Sequence, residues 1–139
     1  MSASWFLDTN ILLYAYDIDA GAKREIALRR VEEAFLHPDQ TSISVQVLQE
    51  FHVNFVKAGH STDEAAMILS DFSVWRVVDN TWTLFKKGLE LQSRWQLSLW
   101  DAMILAAARH AGSTELLSED FSAGQDYGGI RVLNPFLHP

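Results

Sequence analysis

Residues 97–108, LSLWDAMILAAA, carry a single charge, Asp101, in a run that is otherwise apolar apart from Ser98. On a helix the i+3, i+4 and i+7 neighbours of Asp101 are Ile104, Leu105 and Ala108, so the helix is apolar on nearly every face. Such a helix is stable only when other elements cover it all round, which calls for a layered fold. A lone carboxylate there is costly unless it is hydrogen-bonded, paired or bound to a metal. Ser98, three residues earlier, has capping-box spacing. A cap would keep the acid ionised at a helix N-terminus and leave its outer oxygens available to a cation.

The rest of the chain supplies the covering layers. Residues 5–8 are a short apolar run suited to a buried strand, and a helix starts over 11–16. Helical spacing continues over 21–36, with His37-Pro38 as the stop. A strand at 41–44 leads into a helix at 45–58 ended by Gly59. Ser61 and Glu64 form a capping box for a helix towards Phe72. A β-rich run follows at 76–78, then a helix capped by Asn80 and reaching Trp95, and the apolar helix at 98–111 ended by Gly112. Strands at 115–117 and 130–133 flank a Gly-rich SAGQDYGG loop. The order β-α-α-β-α-α-β-α-α-β-β predicts one α/β domain over 1–139, three layers deep, with a central, mainly parallel sheet. Sites in such sheets lie outside the carboxyl ends of the strands.

Acids stand at those positions. Asp8 closes the first strand, with Asn10 just beyond, although either residue could simply cap the next helix. Asp120, in Ser118-Glu119-Asp120, follows the fourth strand, where a turn or cap would also explain it. Glu50 lies on the wheel with Gln46, Asn54 and Lys57, opposite Leu48, Phe51, Phe55 and Val56, so it faces solvent or a polar cleft. Hard cations such as Mg²⁺ and Mn²⁺ choose oxygen ligands of this kind, and carboxylate-held metals serve phosphodiester hydrolysis. Trp95 and Trp100 flank Asp101 and could stack on bases, although core packing is the expected role of each.

Composition narrows the chemistry further. The chain has no Cys among its 139 residues, which excludes thiolate nucleophiles and Cys-ligated metals. Its histidines show no HxxxH or HExxH spacing, and GxxxxGK[ST], GxGxxG and GxSxG are missing. A net charge of −7 rules out holding nucleic acid by bulk electrostatics. Guidance of an anionic substrate falls to local basic residues, with Lys23, Arg24, Arg29, Arg30, Lys86 and Lys87 as candidates. MSASWFLDTN has no signal-like n- or h-region and no long apolar span follows, so a soluble cytoplasmic protein without membrane contact is expected.

FLDTNILLYAYD, the mid-chain VLQEF, LSLWDAMILAAA, LLSEDF and the terminal VLNPF, taken together in this order, resemble the PIN-domain family. They look closest to its small stand-alone VapC-type toxins of toxin–antitoxin pairs. The resemblance implies a parallel sheet flanked by helices and a Mg²⁺- or Mn²⁺-dependent endoribonuclease acting on RNA. It also implies a cognate antitoxin partner and a homodimer. By position, Asp8, Asp101 and Asp120 match metal-binding acids and Glu50 the helical acid of the second motif, which orients water or completes a second metal position. Asn10 and Ser118 match supporting polar residues, while Glu119 matches nothing. Two other readings stay open: a non-catalytic PIN-like binding module, and a metal-dependent phosphatase, whose DxDx[TV] signature would need Asp where Asn10 stands.

Overall fold

A computed structural model describes residues 3–137. The chain runs β1 (Trp5–Leu7), α1 (Thr9–Ala15), α2 (Ala22–Leu36), a 3₁₀ turn (Pro38–Gln40), β2 (Thr41–Ser44), α3 (Val45–Lys57), α4 (Thr62–Phe72) and β3 (Arg76–Val78). It continues through α5 (Trp82–Trp95), α6 (Leu99–His110), β4 (Glu115–Leu117) and β5 (Arg131–Leu133). The five strands form one sheet in the order β3-β2-β1-β4-β5, and every neighbouring pair is parallel. The anticipated α/β architecture is therefore present, with a sheet that is parallel throughout.

Strand order fixes where a cleft opens. From β1 the chain builds outward through β2 to β3, then returns to place β4 on the other side of β1. The reversal falls between β1 and β4, the kind of switch point where a parallel sheet leaves a crevice at its carboxyl edge. Asp8 follows β1 and Ser118 follows β4, so both residues emerge at that crevice. β4 and β5 are joined without a helix. Phe121, Tyr127 and Ile130 of the connection are buried and do the packing that a crossover helix would otherwise do.

Helix α6 is buried as its sequence demands: every residue from 102 to 108 is buried. Its closest neighbour is α5, where Gly88 lies against Met103 so tightly that any Cβ there would collide with the thioether. Elsewhere in the core, Phe35, Phe72 and Trp75 stack on one another and Phe51 meets Phe72 edge-on. Caps at Ser44, Ser61 and Ser98 accept hydrogen bonds from the third residue of the helices they open.

Several sequence expectations need correction. Thr81, not Asn80, caps α5, its hydroxyl accepting from the Leu84 N–H. Gln46 is buried although the wheel set it on a polar face, because the first turn of α6 covers it. Trp95 is partly buried against Tyr127, as core packing requires, but Trp100 is 65% exposed and contributes nothing to the core. Among the described residues, no helix is long and apolar enough to cross a membrane.

Candidate active site

Asp8 is the N-cap of α1, its Oδ1 accepting from the Thr9 N–H at 2.8 Å. Capping occupies one oxygen. The other accepts from the Ser118 hydroxyl at 2.7 Å, tying the end of β1 to the end of β4. Asn10, in the first turn of α1, extends the knot: its Nδ2 donates to Asp120 Oδ2 at 3.0 Å and, at 3.4 Å each, to Asp8 Oδ2 and Ser118 Oγ. Ser118 Oγ in turn accepts from the Asp120 N–H at 3.0 Å. Asp8, Asn10, Ser118 and Asp120 thus form one hydrogen-bonded group across the switch point.

Glu50 joins this edge from α3. Its Oε1 accepts from the Thr9 hydroxyl at 2.6 Å and its Oε2 from Gln46 Nε2 at 3.4 Å. Gln46 also donates to the Trp100 carbonyl at 3.2 Å, which fastens α3 to the first turn of α6. Asp101 sits in that turn, half-buried, its N–H donating to Ser98 Oγ at 3.1 Å. Helix cap and possible cation ligand are compatible at Asp8 and at Asp101, since each cap leaves carboxylate oxygen to spare.

Electrostatics link the four acids. Burial pushes Asp8 up to about 7, helped by the charges of Asp120 and Glu50 and opposed by hydrogen bonds from Ser118 and Thr9. Partial burial also raises Asp101; Asp120 and Glu50 push it the same way, while Ser98 opposes them. The same two carboxylates therefore bear on both raised acids. As the side chains stand, no three Asp, Glu or His groups among the described residues come close enough to grip one ion. The donor chemistry still fits a hard divalent cation, being oxygen throughout with no sulfur or imidazole among these acids. A cation would favour the ionised forms of Asp8 and Asp101, against the burial and the Asp120 and Glu50 charges that raise them.

Glu119, beside these groups, behaves differently. It accepts from Tyr14 Oη at 2.5 Å and from Lys23 Nζ at 2.9 Å. Burial works against its charge, yet these two hydrogen bonds and the Lys23 charge outweigh it and hold the carboxyl below its usual value. Thr9, Gln46, Tyr14 and the Glu119 partnership were not visible as site features in the sequence. Only the i, i+4 spacing of Gln46 and Glu50 gave a hint. Of the basic candidates, Lys23 reaches this edge, and it is engaged by Glu119. Arg30 and Lys87 pair with Glu33 and Glu90 on the surface.

A family model for the PIN domain matches residues 5–123. Solved structures agree on the fold. The Mycobacterium tuberculosis VapC20 toxin, which cleaves the sarcin–ricin loop, is 22% identical, with a TM-score of 0.67 over 84% of this chain and 92% of that one. A toxin–antitoxin complex from Klebsiella pneumoniae is 28% identical, with a TM-score of 0.66 over 96% of this chain and 98% of that one. DNA-bound VapBC from Salmonella typhimurium is 18% identical, with a TM-score of 0.66 over 94% of this chain and 97% of that one. Among curated proteins no relative matches. With the model spanning all five motifs except the terminal VLNPF, and the sheet order and edge acids described above, the chain belongs to the PIN domain family.

Proposed function

We propose that this chain is a divalent-cation-dependent endoribonuclease, the toxin of a toxin–antitoxin pair, acting in the cytoplasm as a homodimer. The observation that carries the proposal is the coupling of four carboxylates, Asp8, Glu50, Asp101 and Asp120, at the carboxyl edge of the sheet. Membership of the PIN family supports a nuclease, and the Klebsiella and Mycobacterium structures support an antitoxin partner and an RNA substrate.

Asp8, Asp101 and Asp120 would hold Mg²⁺ or Mn²⁺. When bound, the cation lowers the pKa of water and offsets the charge that builds up during in-line displacement at phosphorus. The chain's own residues do the positioning. Ser118 and Asn10 fix Asp8 and Asp120 relative to each other. Thr9 and Gln46 hold both oxygens of Glu50, which orients the attacking water. Asp8, at about 7, keeps its proton through mildly acidic pH and gives it up when positive charge arrives nearby. Asn10 also counts against the phosphatase reading. Its amide donates to Asp120, Asp8 and Ser118, and an aspartate at this position could not.

The test is cleavage of a mixed tRNA and rRNA pool by wild type and Asp101→Asn, with Mg²⁺ or Mn²⁺ and with EDTA. Cutting by wild type alone, abolished by EDTA, is the expected result. Equal behaviour of the two proteins in every metal would leave the binding-module reading in its place.

A further inference from the structure

Trp100 and Trp82 are each 65% exposed, and Phe85 joins them on the surface. Together with Gln46, Gln49 and Asn80 they line a groove of about 440 Å³ between the N-terminal turns of α5 and α6. The rings of Trp82 and Phe85 lie 5.9 Å apart at 59°. Lys86 Nζ stands 5.7 Å from the Trp82 centroid and enters no ion pair among the described residues. Large aromatics gathered on a surface mark a binding face, and three features identify the occupant. Flat rings accept bases of any sequence by stacking, the side-chain amides of Gln49 and Asn80 match base edges, and Lys86, beside Trp82, meets phosphate.

The groove is tied to the carboxylate edge through two of its lining residues. Gln46, in its wall, donates both to the Trp100 carbonyl and to Glu50, and Trp100 immediately precedes Asp101. We propose that Trp100, Trp82 and Phe85 form a stacking platform that seats unpaired RNA bases beside the scissile phosphate. The platform rests on the nuclease reading and makes it more specific: the substrate is single-stranded or looped at the cut. It also accounts for recognition by a chain of net charge −7, because stacking needs no positive surface.

The test is fluorescence anisotropy with a labelled single-stranded oligoadenylate in EDTA, where nothing is cut. Trp100→Ala and Trp82→Ala should each weaken binding roughly tenfold, the loss expected for one stacked base. Trp100→Phe should retain most of the affinity, and a duplex of the same length should be indifferent to all three. Unchanged affinity in both alanine variants overturns the platform, as does an equal loss on duplex. Sedimentation gives a further way to fail: variants that lose dimerisation but keep their RNA affinity would assign this face to a second copy of the chain. The RNA-pool assay separates the two readings. Wild type that binds through Trp100 but leaves RNA uncut with Mn²⁺ sustains the platform and refutes the nuclease. Cutting by wild type with undiminished binding by Trp100→Ala refutes the platform alone.

Discussion

Glu119 and Asp8 lie on the same sheet edge and are tied to the same asparagine, since Asn10 accepts from the Glu119 N–H and donates to Asp8. Their fates are opposite. Glu119 has a cation and a phenol hydroxyl to itself, and its carboxyl is held below the usual value. Asp8 is buried among hydrogen-bond donors with no cationic partner among the described residues, and burial, helped by the charges of Asp120 and Glu50, pushes it up to about 7. Asp101 is raised in the same way. A fold can neutralise an acid at this edge, and it does so for Glu119. Leaving Asp8 and Asp101 uncompensated is costly, and that cost makes sense if a metal supplies the missing charge. On this view Glu119 is structural and its neighbours are functional.

Variants that separate the two groups should differ in size of effect. Asp101→Asn removes a ligand and should lower RNA cleavage at least a hundredfold, as for loss of a major electrostatic group in other active sites, with the melting temperature unchanged or raised. Asp8→Asn should lower cleavage in the same way and also show itself in stability. Because Asp8 titrates at 3.8 when unfolded and at about 7 when folded, the folded state holds the extra proton between those values. The stability this group contributes is complete below about 3.8 and is lost as pH rises to about 7. Metal-free wild type should therefore lose stability relative to Asp8→Asn across that window, leaving the variant ahead by ~2 kcal/mol or more at pH 8. Chemical denaturation at pH 5 and pH 8 checks this, and a gap that narrows with rising pH would break the comparison.

Smaller effects sharpen it. Ser118→Ala takes away the hydroxyl that favours the ionised form of Asp8. The acid limb of the cleavage profile should move to higher pH, with about a tenfold loss of rate, as for other groups that orient a metal ligand. Glu119→Gln should be the mildest. Exposed or half-exposed ion pairs contribute little, so the melting temperature should fall by no more than about 3 °C and cleavage should stay within a few fold of wild type. A collapse of activity in Glu119→Gln would place that residue in the functional group.

Elements were readable from the sequence because their signals are local. The Ser98 cap, the all-round apolar face after Asp101, and Gly59 and Gly112 beyond the ends of α3 and α6 all depend on neighbours within a turn. Asp8, Asp101 and Asp120 could be singled out because each interrupts an apolar pattern or follows a strand, whereas Glu50 lies on a polar helix face and stood out only through the family resemblance. Contacts between distant segments left no periodic trace. Thr9 on Glu50, Gln46 on the Trp100 carbonyl and Tyr14 with Lys23 on Glu119 join residues far apart in the chain. Trp100 was misread for a related reason. Composition favours burying tryptophan, but the first turn of α6 presents this one outward while Gln46 takes the covered position.

We expect the uncompensated acids, and not the compensated one, to receive a divalent cation. Isothermal titration of Mn²⁺ into wild type, Asp101→Asn and Glu119→Gln tests it without relying on any RNA. Matching binding by wild type and Glu119→Gln, with Asp101→Asn weakened at least about tenfold, is the predicted result. Equal binding by all three proteins, or loss confined to Glu119→Gln, would contradict the account.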